Sequence, residues 1–381
     1  MLLSRSLSRV AVAGAVLLTA CSDRTPAAPD APDALEARAA AVPVIVVLDP
    51  SFAPGSHAAN QAAAADIARG LGLTPGHAYG SALFGFAAAV PEGRLNALDR
   101  DPRVLYWERD QTASIPRPVA EARPGGGGSG GETEPWGITR VGGPASGAGK
   151  LAYVIDTGVD LDHPDLNVDL ACSKNFVSKG KDSPDDGNGH GTHVAGTIAA
   201  IDNDRDVVGV AAGASICSVR VLDNAGFGSY SDIIAGVDYV GSRNATGAVA
   251  NMSLGGGPSA ALDQAVGNAS SKVSFALAAG NSGADAGNYS PARVNGPNVY
   301  TIAAIASNNC LTSWSNWGNP PVDYAAPGSG ILSLKRGGGT TTLSGTSMAA
   351  PHVAGILLLG AVKSDGSACE NRPGSYPIAH R

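Results

Sequence analysis

The chain has 381 residues, 44% hydrophobic and 15% charged, with 51 glycines and a formal net charge of −7. That length supports one large core and a smaller companion domain. The acidic balance argues against a nucleic-acid partner, which needs a basic face, and the low charged fraction points to closely packed small residues rather than ion-pair networks.

Residues 1–21 have the form of an export signal. Arg5 and Arg9 give a positive start, and the apolar run 10–18 is too short to span a bilayer. Leu18-Thr19-Ala20-Cys21 resembles a bacterial lipoprotein box with Cys21 as the lipidated residue; an ordinary signal peptide with a chance cysteine is the alternative. Either reading sends the protein out of the cytoplasm, secreted or to the cell envelope. Residues 22–42, with Pro26, Pro29 and Pro32, form a low-complexity spacer.

A small domain is expected over residues 43–112. Strands are predicted at 44–48, 81–90 and 103–107, and an alanine-rich helix at 58–69. Pro91 opens a second helix through Leu95 and Leu98. Strands enclosing two helices suggest a ferredoxin-like β-α-β-β-α-β unit. Residues 113–134, with a glycine-rich run at 125–131, read as flexible linker.

Residues 135–381 alternate strands (151–155, 215–221, 248–253, 273–278, 299–304) with helical runs (190–201, 231–240, 262–269). That alternation predicts an α/β domain, a mostly parallel sheet with helices on both faces. Three stretches carry chemistry. Asp156 ends a buried apolar strand, the usual place for function in an open α/β sheet. His190 begins a small-residue helix. Ser347 follows a Gly-Thr turn at the start of another, where unpaired N–H groups favour developing negative charge; alone, it could equally be a plain N-cap. Pro351 is expected in that helix's first turn, leaving the Ser347 carbonyl without its helical donor.

The motifs VIDTGV, GHGTHVAGTI and GTSMAAPHVAG, in the order Asp, His, Ser, resemble the subtilisin-like serine proteases, nearest to the proteinase K branch. The resemblance implies that His190 takes the proton of Ser347 while Asp156 orients the imidazole. It further implies that Asn281 donates to the oxyanion. An extended protein or peptide substrate would pair as a strand with Gly226, Phe227 and Gly228 on one side and Ser253, Leu254 and Gly255 on the other. Gly255, Ala278, Ala279 and Gly280 would border a pocket without fixed charge, so apolar or aromatic residues are expected there. Residues 43–112 resemble the family's inhibitor-type propeptide, which implies a self-processing precursor cut within 113–134. If Cys21 carries lipid, that cut frees the catalytic domain from its anchor. A monomer is expected.

From Pro135 onward Asp is abundant and Glu370 is the sole Glu. Likeness to a subtilisin calcium site implies ligation by Asp165 and Asn203 side chains with the carbonyls of Ile201, Arg205 and Val207, and Glu132 beside them. A second site, by likeness to proteinase K, would use Pro297, Val299 and Asp323. No catalytic cofactor is implied. Cys172, Cys217, Cys310 and Cys369 allow two disulfides in three connectivities. His193 and His352 read as packed; His57, His77 and His380 receive no role. The helix after Ser347 is expected to stop near Val362, with a Gly/Pro-rich tail in place of the family's further elements. Two other functions fit the sequence less well. An esterase usually carries G-x-S-x-G, which Gly345-Thr346-Ser347-Met348-Ala349 fails. An inactive binding relative would not need all four catalytic positions filled.

Overall fold

The apolar runs of residues 135–381 lie side by side in one sheet. The computed structural model describes residues 41–116, 131–178, 180, 182–243, 245–369 and 372–381. The expected export signal with Cys21, most of the spacer and linker residues 117–130 lie outside them. Across the sheet the order is Lys363–Ser367, Pro377–His380, Val322–Pro327, Val299–Ile305, Ser274–Ala278, Val249–Met252, Leu151–Asp156, Ser215–Arg220 and Asn167–Val168. Lys174–Asn175 also pairs with Ser215–Arg220. Only the first pair is antiparallel.

Leu151–Asp156 explains why helices cover both faces. Its side chains alternate in direction with period two. Ala152 and Val154 join a buried cluster with Val194, Ile198, Met348 and Ala354, from the helices His190–Ala199 and Thr346–Leu359. Tyr153 and Ile155 join another with Ile233, Val237, Leu262 and Val266, from Tyr230–Ser242 and Ala260–Ala269. A strand buried on both faces reads as an unbroken apolar run.

Residues 41–109 form a four-stranded antiparallel sheet in the order Pro75–Tyr79, Gly85–Pro91, Ala41–Leu48, Val104–Arg109. With the helices His57–Gly70 and Leu95–Leu98, the chain runs β-α-β-β-α-β. On Ala41–Leu48, Val44, Val46 and Leu48 pack with Ala64, Ala68, Leu95 and Leu98. Ile45 and Val47 point the other way, into the cluster that holds Ile233 and Leu262. The small sheet therefore lies against the helices Tyr230–Ser242 and Ala260–Ala269.

The expected strand at 81–90 begins later, at Gly85, and a separate strand, Pro75–Tyr79, precedes it. The turn between them is held from far along the chain. The N–H groups of Gly80, Ser81 and Ala82 all donate to the buried Asp238 carboxylate, at 2.6–3.1 Å. Two carboxylates reach the opposite way and fill helix N-termini, where N–H groups lack partners. Glu108 accepts from Ala260 N (2.9 Å) and Ser259 Oγ, and Asp110 from Ser231 N (3.0 Å) and Ser231 Oγ (2.6 Å). His77 is not idle: its Nε2 lies 2.7 Å from Asp232 Oδ1, and His57 Nδ1 lies 3.6 Å from Asp238.

The cysteines pair as Cys172–Cys217 and Cys310–Cys369, with Cα separations of 5.6 and 4.4 Å. The tail is a β-hairpin, Lys363–Ser367 with Pro377–His380, whose second strand extends the large sheet beside Val322–Pro327. Tyr376, Ile378 and Ala379 are buried there, and Cys369 ties the hairpin to Cys310. The helix before it ends at Leu359, three residues earlier than expected.

Candidate active site

Asp156 ends, and Ser253 and Asn281 follow, three neighbouring parallel strands, Leu151–Asp156, Val249–Met252 and Ser274–Ala278. His190 and Ser347 each stand in the first turn of a helix packed on one face of that sheet. Asp156 is fully buried, and its Oδ1 accepts from His190 Nδ1 at 2.8 Å and from Thr157 N at 2.7 Å. An ionised carboxylate only accepts, so Nδ1 holds the proton and Nε2 keeps its lone pair. Nε2 is buried and has no hydrogen-bond partner among the described residues. Burial pulls the His190 pKa down, but the charge and hydrogen bond of Asp156, with Asp186 behind it, outweigh that and leave it raised.

His190 reaches Asp156 because Gly191 has no side chain: a Cβ there would stand 1.9 Å from the Gly158 carbonyl oxygen. Ser347 Oγ donates to the Ser253 carbonyl at 3.3 Å, and Ser253 Oγ donates to the Ser347 carbonyl at 2.8 Å. Two expectations are corrected here. Pro351 lies inside the helix Thr346–Leu359, past its first turn. The carbonyl it deprives of a helical donor is not free, since Ser253 satisfies it.

Asn281 is held by its oxygen, which accepts from Thr346 N (2.9 Å) and Thr346 Oγ1 (2.8 Å). That fixes the amide with Nδ2 toward Gly345. A Cβ at Gly345 would stand 3.0 Å from Asn281 Nδ2 and 3.6 Å from Ser347 N, so both nitrogens border one space. Two N–H groups around a common space are suited to an oxygen that gains charge.

A segment of the same chain lies along this site. Thr112–Ser114 pairs antiparallel with Phe227–Ser229. Ser114 exchanges both backbone bonds with Gly255, each 3.1 Å, and Ile115 N donates to Gly226 O at 3.0 Å. Ordered pairing thus runs into the stretch expected as free linker. Ala113 is fully buried. Ser114 and Pro116 border a cavity of about 310 Å³ with Leu254, Gly255, Ala278, Ala279, Gly280 and Asn281. Ile115 borders a second cavity, of about 320 Å³, with Asn188, His190, Lys335, Arg336 and Leu343. Successive side chains entering opposite cavities is what an extended strand requires. Phe227 remains half exposed.

Residues 147–365 match the model of the subtilase family, peptidase S8. The chain belongs to the subtilase family. It is 44% identical over 294 residues to "Alkaline serine exoprotease A" of Vibrio alginolyticus, covering 74% of this chain and 52% of that protein, about half its length. It is 38% identical over 380 residues to "Extracellular serine proteinase" of Thermus sp. (strain Rt41A), covering 91% and 87%. A solved structure, described as a cold adapted subtilisin-like serine proteinase, superposes with a TM-score of 0.53 at 45% identity, covering 59% of this chain and 83% of that one.

Within this subtilase, Asp165, Asn203 and Glu132 of the first expected calcium site come together, with Asn203 Oδ1 accepting from Arg205 N at 2.8 Å. Asp165 is fully buried; its Oδ1 accepts from Asn203 Nδ2 at 2.6 Å, while Oδ2 has no partner among the described residues. Glu132 accepts from Asn203 N at 2.6 Å. Burial, with Asp206 and Glu132 nearby, pushes the Asp165 carboxyl up to about 6. A buried carboxylate oxygen without a partner fits a hard cation. At the second expected site, Asp323 already accepts from Thr301 N at 2.8 Å, and burial raises its carboxyl.

Several residues that shape the site escaped the sequence reading. Asn316 accepts from Ser282 N and Ala284 N and donates to Ala279 O, which fixes the turn carrying Asn281. Thr346, Ser253 Oγ and Asp186 act similarly on their neighbours. Thr346 lies inside the GTSMAAPHVAG motif, whereas Asp186, four residues before His190, lies just outside GHGTHVAGTI.

Proposed function

We propose that the chain is a serine endopeptidase made as a self-inhibited precursor. The carrying observation is the peptide strand, Thr112 to Pro116, lying in extended pairing beside Asn281 and the Asp156–His190 pair. In turnover the Ser347 hydroxyl would swing from the Ser253 carbonyl to His190 Nε2, which takes its proton as Oγ attacks the substrate carbonyl. The oxyanion would form between Asn281 Nδ2 and Ser347 N. His190 then protonates the leaving amine, and water repeats the sequence to release the acyl group. Asp156 keeps the imidazole in the required tautomer throughout.

Substrates are read chiefly through their backbone by Gly226–Phe227–Gly228 and Ser253–Leu254–Gly255. The cavity lined by Gly255, Ala278, Ala279 and Gly280 has no fixed charge, which favours apolar or aromatic side chains before the cut. Residues 41–116 serve as inhibitor, held by Glu108, Asp110 and Asp238. With Ser114 on Gly255 and Pro116 in the cavity beside Asn281, the bond aligned for self-cleavage is the one after Pro116. Calcium would be held by Asp165, Asn203, Glu132 and the carbonyls of Ile201, Arg205 and Val207, with a stabilising role. The extracellular names of relatives support export of the mature enzyme.

The test is the full chain expressed as wild type and as Ser347→Ala. Wild type should hydrolyse a peptide nitroanilide with an apolar residue before the anilide and yield a mature N-terminus after Pro116. Ser347→Ala should do neither and keep its full mass. Equal hydrolysis by both would end the proposal.

A further inference from the structure

Asp186 is fully buried and accepts five hydrogen bonds. Its Oδ1 takes Thr157 Oγ1 (3.0 Å), Asn188 N (2.9 Å) and Gly189 N (2.8 Å). Its Oδ2 takes Thr192 N (3.0 Å) and Thr192 Oγ1 (2.6 Å). Thr157 Oγ1 accepts in turn from Gly191 N at 3.1 Å. One carboxylate thus grips the residue next to Asp156 and the backbone on both sides of His190.

Capping alone does not account for an acid here. Asn or Ser caps a helix N-terminus about as well as Asp does. None of the five donors is a cation, and burying a carboxylate without one is costly. Arg220, which borders the same cavity as Asp186, spends its donors on Leu222 O, Ser183 O and Asn224 Oδ1. The Asp186 carboxylate thus lies beside the imidazole's backbone with no cation bonded to it.

We propose that Asp186 is a positioning residue for hydrolysis, holding Asp156 and His190 together and supplying a second negative charge that favours the imidazolium formed in turnover. The inference rests on the protease reading above. The charged and titratable groups around His190 are few. Asp156 faces it from the strand and Asp186 from the preceding loop. His193, on the same helix, is kept neutral by burial, its pKa lowered to about 3. Lys335 and Arg336, which share a cavity with His190, act against the imidazolium. Asp156 and Asp186 are the groups that favour it, and both raise its basicity.

The experiment compares wild type, Asp186→Asn, Asp186→Glu and Thr157→Val on a peptide nitroanilide, with kcat and KM measured across pH. In Asp186→Asn, kcat should fall about 10- to 100-fold with KM nearly unchanged, as a small misplacement of reacting groups produces. Losing a negative neighbour makes the imidazole less basic, so the acid limb of kcat/KM should move to lower pH by about half a unit. Asp186→Glu should keep the limb in place. Thr157→Val, which removes two hydrogen bonds but no charge, should lower kcat without moving the limb. An Asp186→Asn enzyme with a wild-type profile and only a lower melting temperature overturns the inference. Should that variant fail to fold, wild-type kcat in Thr157→Val overturns it. Failure of wild type to hydrolyse the substrate would instead defeat the protease reading.

Discussion

His352, five residues after Ser347 on the same helix, gives a pH dependence whose size follows from its surroundings. It is fully buried, with Nδ1 bonded to Met348 O at 2.8 Å and Nε2 without a partner among the described residues. Burial lowers its pKa from 6.5 to about 4, opposed only in part by that hydrogen bond. The unfolded chain therefore takes up a proton near pH 6.5 that the folded protein refuses until about pH 4. Stability tied to this group is complete above pH 6.5 and is lost as pH falls through that window. At about 1.4 kcal/mol per unit, the loss between pH 7.5 and 5 is about 2 kcal/mol. In an inactive Ser347→Ala background, which prevents self-digestion, His352→Gln should be less stable than its parent at pH 7.5, since the amide leaves a buried group poorly paired. The gap should close by about 2 kcal/mol at pH 5. His193, lowered to about 3, is present in both proteins and leaves acid sensitivity in each. Denaturant unfolding at the two pH values measures the difference. An unchanged gap would mean that His352 is hydrated or already charged in the folded state, and the argument from burial would fail.

Three further outcomes are expected. Asn281→Ala should lower kcat about 10²- to 10³-fold with little change in KM, the magnitude known for such a donor in subtilisin; steady-state kinetics decides it. Chelation should lower the thermal midpoint, and Asp165→Asn should abolish most of that response, read by scanning calorimetry with and without added calcium. Replacing Cys310 and Cys369 by Ser opens a loop spanning 59 positions; chain entropy alone sets the loss at about 4 kcal/mol, measurable by denaturant unfolding.

What the sequence made legible, and what it hid, divides by range. Leu151–Asp156 could be read because a strand buried on both faces needs no partner in view to look apolar, and Asp156 stands out at its end. Motifs around His190 and Ser347 pack their constraints into a dozen residues each: glycines for close approach, small residues for the helix, the functional group at its start. The turn at Gly80–Ala82 was misread because its acceptor, Asp238, lies over 150 residues away. Asn316 was missed for the same reason, being an amide whose three bonds all go to one distant turn. The tail has a composition that suggests loop, yet sheet pairing and a disulfide made it a strand pair. In each case the deciding bond joins residues that no local pattern relates.

If residues 41–116 act as proposed, their contacts bear on how a chain can inhibit a site that would cut it. The bonds made by Thr112, Ser114 and Ile115 in the cleft are main chain to main chain, so any extended peptide can make them. They cannot distinguish inhibitor from substrate. The distinction lies outside the cleft, in Glu108 and Asp110 on two helix N-termini and in Asp238 on the Gly80–Ala82 turn. A carboxylate at a helix N-terminus gains from the exposed N–H groups and from the helix dipole, and a short substrate cannot reach either helix. On the proposed reading, cutting after Pro116 leaves those anchors intact. The cleaved segment would then stay bound, and release of the enzyme would depend on losing the helix caps rather than on breaking the strand pairing.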